Sequence, residues 1–197
     1  LAEHAGNKVT VRNMRNQVLW ERTIEMPLAA QRLGDGRVLV ATADSVHEID
    51  ANGKEVRRLE FPGEKIMKCQ RLATGETGLV LQDTQGTRSR FVRLDRHRRP
   101  LGQIPVQVKT SGGRIDWRAD GHVLVPELEA QRVVEYDTEG KVVWEAPAEM
   151  PVFAAWQPAG TVIVTSRNER GAVEIDRAGK TVWSYRVMTR VTRAIRH

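Results

Sequence analysis

"VEIDRAGKTVWS", residues 173–184, has a near copy in "VEYDTEGKVVWE", residues 134–145. Taking the Asp of this phrase as a ruler, the step recurs at Asp50 in "HEIDANGKEV", Asp95 in "VRLDRHRRPL", Asp137 and Asp176, and Asn13 stands in within "VRNMRNQVLWE". The spacings are 37, 45, 42 and 39 residues. A second marker keeps phase with the first: "GDGRVLV" at 34–40, "GETGLVL" at 75–81, "ADGHVLV" at 119–125 and "PAGTVIV" at 158–164. Two independent markers in phase make a structural repeat.

Each unit carries four short strand signals and no helical periodicity. In the second unit these are "LAAQRL", "RVLVAT", "SVHEID" and "KEVRRLEF". Asp-Gly at 35–36 and 120–121 marks a tight hairpin, because that turn needs positive φ. The Asp-x-x-Gly step is a second hairpin, with Asp50, Asp137 and Asp176 accepting backbone hydrogen bonds and Gly53, Gly140 and Gly179 in the left-handed position. Asn16 replaces that glycine in the first unit. Arg98 replaces it in the third, where the turn is expected to be remodelled.

Trp20, Trp144 and Trp183 stand seven residues after the Asp or Asn, and Arg57 and Gly102 take that place in the other two units. A Trp repeated once per unit on an outer strand packs one sheet against the next. Four-stranded units of about 40 residues specify an all-β fold, a β-propeller. First-strand segments appear five times: "MPLAAQRL", "KIMKCQRL", "SGGRIDWR", "PVFAAWQP" and the terminal "RVTRAIRH". The reading is one domain over 1–197 with five blades, at 1–25 plus 189–197, 26–63, 64–105, 106–148 and 149–188. Strands from both termini would then close one blade. The alternative is a fragment of a ring of six to eight blades. The chain opens "LAEHAGNKVTV" without an initiator Met, as expected of a piece of something longer or a processed product.

No stretch approaches the roughly 18 apolar residues of a membrane helix. One cysteine, Cys69, permits no internal disulfide, and no two of the five histidines are spaced for a metal. No P-loop or G-x-S-x-G elbow is present. "TSGGRID" at 110–116 has paired glycines without a nucleotide fingerprint and is read as a flexible loop between blades. No catalytic residue, metal or cofactor is therefore expected. A net charge of +6 permits a polyanionic partner without demanding one.

Two groups of residues are candidates for binding. Arg32, Arg71, Trp117, Trp156 and Arg196 share one repeat position near the end of the innermost strand, where a channel mouth could take an anionic or aromatic ligand. Packing between blades is the competing use of that position. Arg88, Arg90, Arg93, Arg96, Arg98 and Arg99 fall in one outer hairpin and could bind an acidic partner or a phosphate backbone. Phe91 is the one base-stacking aromatic interleaved with them, so nucleic acid is not the expected partner, and a solvated Arg-rich edge that discourages sheet-to-sheet aggregation is the competing use.

"EYDTEGKVVWE" and "EIDRAGKTVWS" resemble the repeat of bacterial PQQ-like propellers, with its Asp, Gly-Lys turn and docking Trp. "DGRVLV" and "AGTVIV" are also similar to arylsulfotransferase-like propellers. The first family includes quinone-dependent alcohol dehydrogenases and an outer-membrane assembly scaffold lipoprotein. The resemblance implies a scaffold and a location outside the cytoplasm. It carries over no catalytic residue: the dehydrogenases need a vicinal Cys pair and a calcium site, and none of His4, His47, His97, His122 and His197 sits in a motif like that of the sulfotransferases' nucleophile. The sequence thus favours a non-enzymatic binding module for a protein or polymer, over an enzyme or sensor with a ligand in its channel.

Overall fold

The computed structural model describes residues 2–168 and 171–186. It is an all-β propeller of five antiparallel sheets. The first holds three strands, β1 (Ala2–Glu3), β2 (Lys8–Arg12) and β3 (Val18–Thr23). The second runs β4 (Ala29–Arg32), β5 (Val38–Ala41), β6 (Ser45–Ile49) and β7 (Glu55–Glu60). The third runs β8 (Glu64–Arg71), β9 (Thr77–Asp83), β10 (Ser89–Leu94) and β11 (Pro100–Val106). β12 (Asp116–Trp117), β13 (Val123–Glu127), β14 (Arg132–Tyr136) and β15 (Val142–Pro147) form the fourth. β16 (Pro151–Trp156), β17 (Val162–Ser166), β18 (Gly171–Ile175) and β19 (Thr181–Arg186) form the fifth. The strand expected to complete the first sheet, at 189–197, lies outside the described residues.

Alternation explains the stacking. Successive side chains on a strand face opposite sides, and the second strand of a sheet buries both. On β5, Val38 and Val40 join Val9 and Ile24 of the first sheet, and Leu39 and Ala41 join Ile66, Leu79 and Leu81 of the third. On β13, Val123 and Val125 face the third sheet, and Leu124 faces the fifth. That is why "RVLVA" and "HVLVP" read as unbroken apolar runs instead of half-polar strands. First strands of adjoining sheets approach each other, β4 against β8 and β12 against β16, which gathers them toward the centre.

The turn at 95–98 is not remodelled. Arg98 takes the left-handed conformation, φ 67°, where Gly140 has φ 83° in the fourth sheet, and Asp95 Oδ1 accepts the N–H groups of His97 and Arg99 as Asp137 Oδ1 accepts those of Glu139 and Lys141. Its side chain explains why an arginine tolerates that backbone, as described below.

Nor is the segment 110–113 a loose connection. Gly112 N–H donates to Met67 O at 2.8 Å, Gly113 N–H to Leu28 O at 3.0 Å, and Gly113 O accepts from Cys69 N–H at 3.4 Å. Lys68 Nζ donates to Gly112 O at 3.0 Å. Glycine supplies the positive φ held at both positions, 89° and 76°. Burial lowers the Lys68 amine to about 8.

Candidate functional site

One cross-strand pair recurs in every sheet. The residue two before the turn Asp or Asn faces the residue seven after it: Val11 with Trp20, Glu48 with Arg57, Arg93 with Gly102, Glu135 with Trp144 and Glu174 with Trp183. In the first four sheets the pair lies at the seam with the next sheet. Trp20 lies over the turn glycine Gly53. Trp144 donates its indole N–H to Arg177 O at 3.0 Å, beneath the Arg177 guanidinium at 4.9 Å. In the third sheet Arg93 folds over Gly102, whose missing side chain leaves the room, and reaches Gly121 of the fourth.

The seam between the second and third sheets is different. It opens as a cleft of about 490 Å³ lined by Arg32, Arg37, Arg57, Arg71 and Arg96, with Asp35, Glu48 and the turns at 33–34 and 72–75. Glu48 is only 1% exposed and organises the floor. It accepts from Arg37 Nη1 at 2.8 Å, Arg71 Nη1 at 2.8 Å and Arg98 Nη2 at 2.7 Å. Burial pushes its pKa up, but the hydrogen bonds and charges of Arg98 and Arg71 outweigh that and hold the carboxyl below its ordinary value. Arg71 is fixed further by its Nε–H to Thr77 Oγ1 at 3.0 Å. Among the described residues, Arg32, Arg57 and Arg96 have no carboxylate within ion-pair distance. The cleft is a concentration of fixed positive charge.

The sequence-derived residues distribute as follows. Arg32, Arg71, Trp117 and Trp156 each end the first strand of a sheet and pair in the same register, with Val38, Thr77, Val123 and Val162. Their side chains go different ways. Trp117 is buried between the third and fourth sheets, edge-on to Phe91 at 5.8 Å. Trp156 lies under the guanidinium of Arg118 at 3.9 Å. Only Arg32 and Arg71 share a cavity, and Arg196 lies outside the described residues.

The six arginines of the outer hairpin also separate. Arg96 and Arg98 join the cleft, and Arg99 pairs with Asp95 at 2.8 Å on the same turn. Arg93 is spent on Gly102. Arg88 and Arg90 sit at the far end of β10, where Arg90 pairs with Glu64 at 2.6 Å. The structure thus merges two residues of each sequence-derived group, Arg32 and Arg71 with Arg96 and Arg98, into one site. Glu48 and Arg37 were missed. A signal for Glu48 existed, since Glu also precedes the turn Asp by two residues at Glu135 and Glu174.

A second polar row lies at the opposite end of the second sheet. Ser45 Oγ is 3.0 Å from His47 Nε2, and His47 Nδ1 is 2.7 Å from Glu55 Oε2. These are nucleophile, base and carboxylate distances. Ser45 is 1% exposed, however, and its hydroxyl donates to Asp44 Oδ1 and contacts Thr42 Oγ1, both at 2.8 Å. The row locks the 42–45 turn. Among the described residues no group of three or more His, Cys, Asp or Glu is placed to hold a metal ion.

Fold and repeat together define a β-propeller of PQQ-like units. The chain belongs to the PQQ-like family described as outer membrane protein assembly factor BamB, whose sequence profile matches residues 88–196. No curated protein matches it significantly. Solved structures share its fold. A protein of unknown function from Bacteroides caccae superposes with a TM-score of 0.75 at 17% identity, over 91% of this chain and 69% of that one. Virginiamycin B lyase from Staphylococcus aureus gives 0.65 at 14% identity, over 95% and 65%. BBS1N, in a complex with ARL6DN, gives 0.65 at 17% identity, over 94% and 60%. The chain therefore spans 60% to 69% of the lengths of these structures.

Proposed function

We propose that this chain is a non-enzymatic propeller scaffold that holds an extended segment of a protein partner along its outermost strands. One observation carries the reading. Leu19, Val56, Leu101, Val143 and Val182 occupy the same repeat position, six residues after the turn Asp or Asn, on β3, β7, β11, β15 and β19. All five are apolar and 42% to 57% exposed. Natural edge strands are usually blunted by charge, so an apolar residue kept in all five copies suits a surface that gains from being covered. Each of these strands ends its sheet, and no described strand pairs with its outer edge. An added strand would satisfy those backbone groups and cover the apolar residue, as in β-augmentation. The family's description as an assembly factor for outer membrane proteins is in keeping with a partner whose segments are strands. On this reading the chain works outside the cytoplasm.

The test uses a fluorescein-labelled peptide of alternating Val and Thr, titrated with the folded chain and followed by anisotropy. Saturable binding that weakens about tenfold in a Leu19→Lys, Val143→Lys variant of unchanged melting temperature supports the reading. Failure to bind, or equal binding by the variant, overturns it.

A further inference from the structure

The repeat supplies its own control for the cleft between the second and third sheets. At the end of the first strand, the fourth and fifth sheets carry Trp117 and Trp156, and the second and third carry Arg32 and Arg71. Seven residues after the turn, the first, fourth and fifth sheets carry Trp20, Trp144 and Trp183, and the second carries Arg57. At the other seams these aromatics close the joint: Trp117 fills the core, Trp20 covers Gly53, and Trp144 caps the turn of the next sheet. At this seam all three positions are arginine, and all three arginines line one cavity.

Stability alone does not account for the exchange. An aromatic at such a joint buries much more apolar surface than a guanidinium stem. Among the described residues, Arg32, Arg57 and Arg96 are brought together with no carboxylate within ion-pair distance, while the two carboxylates of the cleft are already engaged, Asp35 by Arg37 and Glu48 by Arg37, Arg71 and Arg98. Clustered like charges repel unless an anion joins them. Guanidiniums match planar and tetrahedral oxyanions through paired N–H groups. A volume of about 490 Å³ is that of a small-molecule site.

We propose that this cleft binds a small organic polyanion, a phosphate ester or a polycarboxylate, with Arg32, Arg57 and Arg96 as its ligands and Glu48 as the anchor that spaces Arg37 and Arg71 beneath it. The site is independent of the apolar rim, so either reading can fail without the other.

The test is calorimetric titration of the chain with inorganic pyrophosphate and, separately, citrate, against sodium chloride at matched ionic strength. At least one probe binds saturably, and which one separates a phosphate from a carboxylate ligand. Arg57→Gln and Arg96→Gln each weaken that binding about tenfold, and Arg57→Trp, which introduces the residue of the first, fourth and fifth sheets, removes it while leaving the melting temperature equal or higher. Arg12→Gln and Arg15→Gln, in the first sheet, change nothing. If neither probe binds above the chloride control, or if the cleft variants bind like the chain itself, the proposal is wrong.

Discussion

Arg98 holds a left-handed backbone, φ 67°, and from it delivers Nη2 to Oε1 of Glu48 at 2.7 Å across the seam between the second and third sheets. A non-glycine residue in that region costs on the order of 1 kcal/mol. Here the strained position is also the one from which the side chain reaches a buried carboxylate.

Removing the carboxylate charge should therefore be worse than relieving the strain. Glu48→Gln leaves Arg37, Arg71 and Arg98 facing an amide, and breaking one side of a buried ion cluster costs about 3 kcal/mol. Arg98→Gly relaxes the backbone and leaves Glu48 two partners, so the two effects offset to within about 1 kcal/mol. Urea unfolding of both variants measures the difference. Equal losses would mean that Glu48 does not organise the seam.

The pH dependence follows from the same carboxylates. Glu48 and Glu135 are both buried, which raises their pKa, and both are brought below the ordinary value, Glu48 by Arg98 and Arg71 and Glu135 by Arg177 and His122. A depressed carboxyl contributes stability above its unfolded pKa of about 4.3 and loses it as pH falls through the folded value. Asp116, raised by burial, acts in the opposite sense over the same region. Asp35, Asp44, Asp83, Asp95 and Asp137 are lowered as well, so the lowered carboxyls outnumber Asp116 and the melting temperature is level near pH 6 and falls below about pH 4. Glu48→Gln should flatten part of that fall, and an acid limb identical to that of the parent chain would exclude Glu48 as its source.

The repeat was legible because its two markers, the Asp-x-x-Gly turn and the G-x-V-L-V strand, are local patterns set by φ and by alternation. What decided the site was not local. Glu48 alternates with His47 and Ile49 and reads like a solvent-facing residue until β8 and the 95–98 turn arrive from the next sheet. Arg57 was visible as a missing Trp, but its meaning depended on Arg32, Arg71 and Arg96 lining the same gap. Gly112 and Gly113 looked like slack because their partners, Met67 and Leu28, lie more than 40 residues away.

Gly78 is required for space instead of backbone freedom. A β-carbon there would lie 2.6 Å from Trp117 Nε1 and 2.8 Å from Phe91. Gly78→Ala should cost about 1–3 kcal/mol through overpacking and shift the Trp117 emission as the ring is displaced. Unchanged stability and fluorescence would show that the indole does not rest on the β9 backbone.

Ser45 should behave as a structural hydroxyl. Its proton goes to Asp44, and its surroundings admit almost no solvent. A fluorophosphonate probe should leave the folded chain unlabelled, and Ser45→Ala should lower stability by about 1–2 kcal/mol by removing the partner of His47 Nε2 and one of the two hydroxyls on Asp44. Labelling at Ser45 would show instead that the row is an active nucleophile.

Cys69 reports on whether the seam beside the cleft opens. It lies on β8 among Leu39, Ile66, Leu79 and Leu81, and burial pushes its thiol up to about 12. The thiolate is the reactive form, so the folded chain should not react with Ellman's reagent at pH 8 on the timescale of a free cysteine. Reaction must wait for the second and third sheets to part, which also breaks the bond from Cys69 N–H to Gly113 O. Gly113→Pro deletes the N–H that reaches Leu28 and cannot adopt the φ of 76° held there, so it should detach the segment 110–113, lower the equilibrium stability and speed the reaction several-fold. Immediate reaction in the parent chain would mean that the segment 110–113 does not seal β8. A rate unchanged by Gly113→Pro would mean that the seam opens without that segment moving.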